Sequence, residues 1–487
     1  MIESNFRPVL ERALSHALDH LDHLGTRPVA ATAPLATLRE RLGRTLNTES
    51  LSAHRVIDEL VADVAGGVLG SASGRFFGWV VGGSLPAALA ADWLTSAWDQ
   101  NAASYACGPA LAVIEEVCGS WLKELLGLPS GASFALTSGC QMAHATALAA
   151  ARNALLARRG WDVEQEGLAG APRIRVLSSE QYHASITRAV RLLGLGANSV
   201  RALPTDRAGR LEATTLEGAL REDPAALTIV LLQAGDLNIG AFDVFAELIP
   251  IAHRHGAWVH VDGAFGLWLN ASPQYRHLLA GAEGADSWAT DGHKWLNVPY
   301  DCGYAFVAHP QPHRAAMAIE ASYVSRHEQA REQKDWNPEW SRRGRGVATY
   351  AAIRQLGRRG LAELIERNCQ AAHALVTQIA ALPGAQLVWE PKVNQGLVRF
   401  LDPGPGAADA QHDRRTDEVA RAVIASGEAF FSNTTWRGMR CMRVSVCNWQ
   451  TGAEDVARSV AAVQQALGQQ DPNLSPAGAR RPAVLVK

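Results

Sequence analysis

Lys294 is the residue of this sequence best placed for covalent chemistry. Lysine and arginine together number 46, but only five are lysines, and Lys294 follows the apolar stretch 285–290 directly after Asp-Gly-His. Arginine stays protonated, whereas a desolvated lysine can lose its proton and form a Schiff base with a carbonyl. The other lysines lie in charged segments or at the C-terminal position: Lys123, Lys334, Lys392 and Lys487. The sequence therefore predicts amine chemistry at Lys294.

Asp262 is a carboxylate at the end of an apolar strand, Ala-Trp-Val-His-Val-Asp (257–262), just before a Gly turn. Taken singly, such an Asp more often caps a turn, and a Lys such as Lys294 more often reaches solvent. Both residues, however, follow short apolar strands, and ligands of open α/β sheets bind at the carboxyl ends of the strands. We therefore expect Asp262 and Lys294 to share one pocket.

A cofactor that uses both an amine and a carboxylate is pyridoxal 5'-phosphate (PLP). Its aldehyde condenses with a lysine, and its ring nitrogen pairs with an aspartate that keeps the nitrogen protonated. The protonated ring withdraws electrons from the substrate Cα. Beside a pyridinium, the pKa of Asp262 should be lowered.

Two segments carry a resemblance to a known family: Val-Asp-Gly-Ala-Phe (261–265) and Thr-Asp-Gly-His-Lys-Trp-Leu-Asn-Val-Pro-Tyr-Asp-Cys-Gly (290–303). They resemble the group II PLP-dependent amino acid decarboxylases, which have the aspartate aminotransferase-type fold (fold type I). Similarity extends from about residue 70 to about 460 and includes segments 74–79, 99–101, 109–128, 136–143 and 179–188. The resemblance implies a PLP-dependent carboxy-lyase.

Strands and helices alternate between residues 130 and 310, which favours an α/β fold with a mostly parallel central sheet covered by helices. We expect an N-terminal helical segment with dimer contacts (1–105), a large PLP-binding domain (106–350), a small C-terminal α/β domain (351–468) and a loosely ordered tail (469–487). By resemblance, the enzyme is a homodimer with shared active sites, to which segments 76–83 and 99–101 contribute.

The resemblance also implies roles for residues around the cofactor. His183 stacks on the cofactor ring and helps orient the substrate carboxylate, and His293 contacts the phosphate. The turn before the helix that begins near Met142 offers free backbone amides for the phosphate, and a glycine there allows close approach. An ordinary strand-turn-helix junction is the alternative interpretation. The predicted cofactor-binding residues are Ser138, Gly139, Cys140, Gln141, His183, Asp262, Ala264, His293 and Lys294, with Lys294, His183 and Asp262 catalytic.

For the substrate we favour an aromatic or other hydrophobic L-amino acid over glutamate or aspartate. Aromatic residues that could wall its pocket are Phe77, Trp79 and Trp436, although such residues are more often part of a core. Asp236 and Asn238 lie in a turn where relatives commonly have threonines, and we assign both a pocket role.

The expected reaction begins when the amino acid displaces Lys294 from the cofactor; carbon dioxide then leaves and Cα is protonated. In many relatives a mobile loop supplies this proton from a Tyr, but the corresponding segment 325–335 contains none. Tyr323 precedes the segment and is given no role. His327 is a hypothetical substitute, against the alternative of a solvated charged loop.

Four alternatives stay open at this stage. The chain could carry out decarboxylation-dependent oxidative deamination to an aldehyde, carbon–carbon lyase chemistry, or decarboxylation of glutamate or aspartate. It could also be a non-catalytic scaffold, although a scaffold would not need Lys294, Asp262 and His183 together.

Composition gives no reason for other partners. The net charge of −2 does not indicate nucleic acid binding, and seven cysteines without a CxxC pair do not indicate a disulfide framework or a zinc site. His16, His20 and His23 have helical spacing, but the intervening acidic residues favour a solvated helix face over a metal site. Neither a signal segment nor a membrane span is apparent, so we expect a cytoplasmic protein. The cysteine and histidine patterns lead us to expect no bound metal.

Overall fold

A computed structural model describes residues 5–319, 327 and 329–469 of the chain. Its strands are β1 (Ser133–Thr137), β2 (Ile174–Ser179), β3 (Val200–Leu203), β4 (Leu227–Gln233), β5 (Trp258–Asp262), β6 (Ser287–Asp291), β7 (Gly303–Val307), β8 (Ala385–Trp389), β9 (Gln395–Phe400), β10 (Ser432–Trp436) and β11 (Met439–Ser445). The first seven form one sheet in the order β1-β7-β6-β5-β4-β2-β3. Strands β2 to β6 pair in parallel, whereas β7 is antiparallel to β1 and β6. The predicted α/β fold with a mostly parallel central sheet is confirmed.

Helices pack on this sheet, on a second sheet and in the N-terminal segment. They are α1 (Phe6–Asp22), α2 (Leu35–Leu42), α3 (Ala53–Asp63), α4 (Pro86–Trp98), α5 (Pro109–Leu126), α6 (Cys140–Ala157), α7 (Val163–Glu166), α8 (Ala184–Leu192), α9 (Ala213–Arg221), α10 (Phe245–Arg254), α11 (Pro310–Met317), α12 (Gly346–Ala380), α13 (Asp409–Ser426) and α14 (Ala453–Gln469). Both α4 and α5 begin at a proline, whose fixed φ suits the first helical position, and α5 ends at Gly127 in the left-handed conformation.

Strand β4 shows how the sequence specifies the middle of the sheet. All seven of its residues are buried, as expected for a strand covered on both faces. Val230 and Leu232 pack in the core that includes α5, α9 and α10, while Ile229 and Leu231 pack against α6 and α8. This alternation fixes the register of the strand and so the position of its carboxyl end.

The last four strands form a second, antiparallel sheet in the order β10-β11-β9-β8. Helices α13 and α14 and the C-terminal half of α12 cover it, and a separate apolar core fills the space between. Helix α12 crosses the domain boundary that we predict at residue 350, and its backbone leaves helical geometry at Gly357. The four domain ranges stay predictions.

The N-terminal helices leave apolar surface uncovered. Helix α1 packs against α3 and exposes Leu10, Leu14 and Leu18, which are spaced four residues apart. Two of its predicted solvated histidines pair with carboxylates: His16 Nε2 lies 2.9 Å from Asp58, and His23 pairs with Asp19.

Among the described residues, none of the helices combines the length and apolar character needed to cross a bilayer. The tail predicted from residue 469 lies outside the described residues from position 470 onward.

Candidate active site

A cavity of about 580 Å³ opens at the carboxyl ends of the parallel strands. Strand β5 ends at Asp262 and β6 at Asp291, three residues before Lys294, while His183 follows β2. Asp262, Lys294 and His183 all line the cavity. The structure thus brings together the three side chains that the sequence analysis expects in one pocket, at the edge where open α/β sheets bind ligands.

Lys294 extends into this cavity and is largely shielded from solvent. Its side chain is 17% exposed, and its Nζ lies 3.9 Å from Asp291 Oδ2 and 5.8 Å from the centre of the Phe265 ring. Gly82 packs against the backbone at this point: its N–H donates to the His293 carbonyl, and a Cβ there would lie 2.1 Å from the Lys294 carbonyl oxygen. The absence of a side chain on Gly82 lets the segment before α4 close one side of the cavity.

Asp262 is a buried carboxylate held by several donors. Its Oδ1 accepts the Ala264 amide at 3.1 Å and lies 3.5 Å from His144 Nε2. Burial acts to raise the pKa of Asp262, but His144, His183, Lys294 and the Ala264 amide together lower it below its usual range. The group is therefore a carboxylate at neutral pH, as a partner for a protonated ring nitrogen must be.

The protonation state of His183 follows from its hydrogen bonds. The Ser185 backbone N–H donates to His183 Nδ1 at 3.2 Å, so Nδ1 is an acceptor. Burial lowers the pKa of His183, and the nearby positive charges of Lys294 and Arg443 lower it further, against the opposing effect of Asp262. The neutral ring then carries its proton on Nε2, which is free to donate to a ligand.

The turn between β1 and α6 has the features of an anion site. Gly139 precedes the helix with φ 154°, a conformation that favours glycine, and the Cys140 N–H donates to Asp291 Oδ1 at 2.8 Å. Gln141 Nε2 and His293 Nδ1 are buried without a hydrogen-bond partner among the described residues. His293 Nδ1 also has Asp291 Oδ1 as an ionic neighbour at 3.5 Å, which leaves Gln141 Nε2 as the one of the two without a polar partner among the described residues. A buried donor beside a helix N-terminus fits a phosphate.

Most of the predicted cofactor-binding residues line the cavity: Gly139, Cys140, Gln141, His183, Asp262, Ala264, His293 and Lys294. Ser138 does not line it. Asp291, which the sequence analysis does not single out, lies among these residues, and burial raises its pKa to about 6. An amine, a buried carboxylate and an unpartnered donor at a helix N-terminus together fit PLP.

Of the five predicted substrate contacts, Trp79 is the one that lines the cavity. Phe77 is fully buried in the core of the second sheet, and Trp436 packs with Ile239 and Leu397. The Asp236 carboxylate accepts three backbone amides of its own turn, and Asn238 Oδ1 accepts the Thr434 hydroxyl at 2.8 Å. These four side chains stabilise the fold around the cavity and do not face it.

Two side chains that the sequence analysis does not assign to the pocket also line it. Arg443, in β11, is 3% exposed and donates to the Leu237 carbonyl at 2.9 Å; burial lowers its pKa to about 10, which leaves it charged. Tyr300, which is 62% exposed, has its ring centre 4.2 Å from that of His293. Strand β11 carries two arginines, Arg440 and Arg443; Arg440 pairs with Asp417, and the sequence alone does not show which of the two faces the cavity.

His327, the loop residue considered as a proton donor, lies outside the cavity. His327 has its ring centre 4.6 Å from that of Tyr105 and does not line the cavity. Tyr323, like residues 325, 326 and 328, lies outside the described residues.

The sequence is similar to a known protein family and to proteins of known activity. Residues 36–401 match the model of the pyridoxal-dependent decarboxylase conserved domain. An aromatic-L-amino-acid decarboxylase of Bacillus atrophaeus is 26% identical over 91% of this chain and 92% of its own length. A 4-hydroxyphenylacetaldehyde synthase of Rhodiola rosea is 26% identical over 84% of each chain.

The fold has solved counterparts. The crystal structure of Oryza sativa TDC with PLP and tryptamine superposes with a TM-score of 0.89, covering 96% of this chain and 99% of that one at 23% identity.

Proposed function

The chain belongs to the pyridoxal-dependent decarboxylase family, and on that premise we propose that it converts an aromatic L-amino acid into the corresponding amine and carbon dioxide. It is a PLP-dependent carboxy-lyase. The observation that carries the proposal is the convergence of Lys294, Asp262 and His183 on one cavity that a buried cation, Arg443, also lines.

Each of these residues has one task. Lys294 would bind the cofactor through its amine, and the Asp262 carboxylate would accept a hydrogen bond from the protonated ring nitrogen. Gln141, His293 and the N-terminal end of α6 would hold the phosphate. When bound, the cofactor withdraws electrons from the substrate Cα and so favours the loss of carbon dioxide. His183, neutral and protonated on Nε2, donates a hydrogen bond on the cavity side and orients the substrate carboxylate.

An aromatic substrate fits the walls of the cavity. Trp79, Phe265 and Tyr300 line it, and all three present ring surfaces on which an aromatic side chain can pack. Trp79 also has a positive φ of 51°, a strained conformation for a bulky residue of the kind that occurs at ligand sites. The name of the Bacillus atrophaeus relative supports the same substrate class.

Two other outcomes have specific support. Arg443 could hold the side-chain carboxylate of glutamate or aspartate instead of attracting the α-carboxylate. The Rhodiola rosea relative is named as an aldehyde synthase. In that reaction the amino acid, dioxygen and water would yield the aldehyde, carbon dioxide, ammonia and hydrogen peroxide.

The test is a substrate panel on the purified protein with PLP. L-Tryptophan, L-tyrosine, L-phenylalanine, L-glutamate and L-aspartate are incubated separately, and carbon dioxide, amine, aldehyde and hydrogen peroxide are quantified. We expect carbon dioxide and amine in equal amounts from an aromatic substrate. Turnover of the acidic substrates alone would contradict the substrate class, and aldehyde with hydrogen peroxide would contradict the amine product.

We further propose that the protein is a cytoplasmic homodimer with shared active sites. Leu10, Leu14 and Leu18 of α1 form an exposed apolar stripe, and Trp93 and Trp98 of α4 are 42% and 50% exposed. Apolar surface of this extent indicates an interface, and a second copy would cover it. A cytoplasmic location fits the seven free cysteines.

A further inference from the structure

We propose that His144 is a positioning residue, which keeps Asp262 ionised and turned toward the cofactor ring nitrogen. His144 lies at the end of a buried hydrogen-bond chain. The proposal rests on the role given to Asp262 above. His144 of α6, with His260 and Ser287 behind it, would then help to set the charge of the cofactor ring.

The chain runs through the sheet behind the cavity. His144 Nε2 lies 3.5 Å from Asp262 Oδ1, and His144 Nδ1 lies 2.9 Å from His260 Nε2. His260 Nδ1 lies 2.8 Å from Ser287 Oγ, which accepts the Trp258 Nε1–H at 2.9 Å. All four groups behind Asp262 are at most 1% exposed. Water therefore does not compete for these bonds.

The donors of this chain have one consistent direction. If Ser287 donates its hydroxyl proton to His260 Nδ1, neutral His260 carries its proton on Nε2 and donates to His144 Nδ1. Neutral His144 then carries its proton on Nε2 and points it at Asp262. In the opposite direction an unprotonated Nε2 would face the carboxylate, lone pair against negative charge, with only the weak S–H donor of Cys140 at 3.4 Å to satisfy it. An ionised Asp262 therefore selects the first arrangement, in which each bond polarises the next.

Both histidines are neutral, as this arrangement requires. Burial lowers the pKa of His260 to about 3 and lowers that of His144 below its usual range. Of the charged groups near His144, Asp262 opposes this shift and Lys294 adds to it. A neutral donor stabilises the carboxylate without neutralising it, so its charge remains available to the cofactor.

Cys140 is a second neighbour of His144 Nε2, with its Sγ at 3.4 Å. Burial raises the pKa of the Cys140 thiol well above its usual range, so the sulfur is uncharged and a weak acceptor. The His144 proton thus has two acceptors at similar distances, Cys140 Sγ at 3.4 Å and Asp262 Oδ1 at 3.5 Å, and the charged carboxylate is the stronger of the two. With His144 and the Ala264 amide both at Oδ1, the second carboxylate oxygen is left for the cofactor.

The experiment measures the protonation of the ring nitrogen directly, by ¹⁵N NMR of the holoenzyme reconstituted with PLP labelled at that nitrogen. The variants are His144→Leu, which removes the donor; His144→Gln, which retains one; and Asp262→Asn. His313→Gln is the matched control, because His313 is likewise buried and neutral but bonds to Ser133 and Trp336 away from this chain. Cofactor retention and thermal unfolding are recorded for each variant.

We expect the ¹⁵N shift of His144→Leu to move toward the unprotonated ring, with kcat falling about tenfold and KM little changed, since one pKa unit is a tenfold change in population. His144→Gln should recover most of both effects, and His313→Gln should show neither. An unchanged ¹⁵N shift in His144→Leu, alongside a moved shift in Asp262→Asn, would overturn this proposal alone. An unchanged shift in Asp262→Asn would instead overturn the role given to Asp262.

Should His144→Leu fail to fold, Ser287→Ala tests the same chain from its far end. It removes the donor to His260 Nδ1 without touching the cavity. A small movement of the ¹⁵N shift in the same direction is expected, and no movement would count against the chain.

Discussion

The charge balance of the cavity is set by a few neighbouring side chains. Lys294 and Arg443 contribute positive charge, Asp262 contributes a carboxylate, and His183 is neutral with its proton on Nε2. Asp291 lies 3.9 Å from Lys294 Nζ, and burial raises its pKa to about 6. A substrate carboxylate therefore enters a site that contains two cations, Lys294 and Arg443, and two acidic groups, Asp262 and Asp291.

Tyr300 is the tyrosine that lines the cavity in the described part of the chain, and it bears on which product forms. A tyrosine hydroxyl, with an ordinary pKa of about 10, is protonated at neutral pH, as a general acid needs. We expect Tyr300→Phe to lower kcat by about one to two orders of magnitude and to raise the proportion of aldehyde, because a slow proton transfer to Cα gives dioxygen time to react. The measurement is the ratio of amine to aldehyde and hydrogen peroxide.

Tyr275→Phe is the control for this prediction, since Tyr275 lies outside the cavity. An unchanged product ratio and an unchanged kcat in Tyr300→Phe would show that the proton comes from another group.

At the residue scale, the sequence predicts the groups that carry a strong local pattern. Lys294 and Asp262 stand at the ends of apolar strands and belong to recognisable motifs. His144 belongs to an Ala-rich helix, and its importance depends on His260, which is 116 positions away along the chain. Such a partner becomes visible only when the sheet brings α6 and β5 together. Phe77 and Trp436 illustrate the converse, because an aromatic residue near a motif can equally belong to a core.

At the scale of elements, the site depends on where strands end and turns begin. Residues 133–137 were predictable as a strand because they are apolar and precede a Ser-Gly turn, and β1 has these bounds. The apolar residues before His183 predict a strand over 173–177, but β2 extends to Ser179 because Ser178 and Ser179 remain paired in the sheet. Where a strand ends in polar residues, the pattern of apolar residues alone does not predict its last residue.

Gly303, the first residue of β7, provides a test of the phosphate turn. A Cβ at Gly303 would lie 2.2 Å from the carbonyl carbon of Gly139, so Gly303→Ala must displace the turn. We expect the dissociation constant for PLP to rise at least about tenfold, a cost of about 1.4 kcal/mol. Equilibrium titration of the apoenzyme, followed by protein fluorescence, measures it.

Gly131→Ala is the matched control, because nothing lies within 4 Å of a Cβ at that position. Its PLP affinity should equal that of the wild type. Equal affinity in Gly303→Ala would mean that the turn does not hold the cofactor.

For the molecule as a whole, the exposed apolar residues on α1 bear on how two copies of the chain associate. The dimer proposal predicts that Leu10→Glu with Leu14→Glu weakens self-association at least about tenfold, because charges would be buried at the interface. Sedimentation velocity over a range of protein concentrations measures this. Leu387→Glu, at a leucine 42% exposed on β8, is the control. A monomeric wild type would contradict the proposal.

Buried histidines should make the protein acid-sensitive. Burial lowers the pKa of His260, His293 and His313 to about 3, while the unfolded chain takes up these protons near pH 6.5. The stability they contribute is complete above about pH 6.5 and is lost as the pH falls toward 3. Asp243 and Asp291, with pKa values raised to about 6, act in the opposite direction but are fewer.

His313→Gln isolates one of these contributions. Its two hydrogen bonds, to the Ser133 hydroxyl and the Trp336 carbonyl, can both be made by glutamine. The free energy of unfolding of this variant should depend less on pH, by about 1.4 kcal/mol per pH unit between about pH 4.5 and 6. Urea unfolding at a series of pH values measures the slope, and a slope equal to the wild type would contradict the prediction.

The central claim is that Lys294 binds PLP covalently, and the most direct measurement locates that bond. The holoenzyme is reduced with borohydride, digested and analysed by peptide mass spectrometry, for the wild type, Lys294→Arg and the control Lys392→Arg, whose lysine is 69% exposed. We predict that the cofactor mass lies on the peptide with Lys294 in the wild type and in Lys392→Arg. Lys294→Arg should carry no such mass and should lose activity by a factor on the order of 1,000 or more. Cofactor found on another lysine, or full activity in Lys294→Arg, would contradict the account.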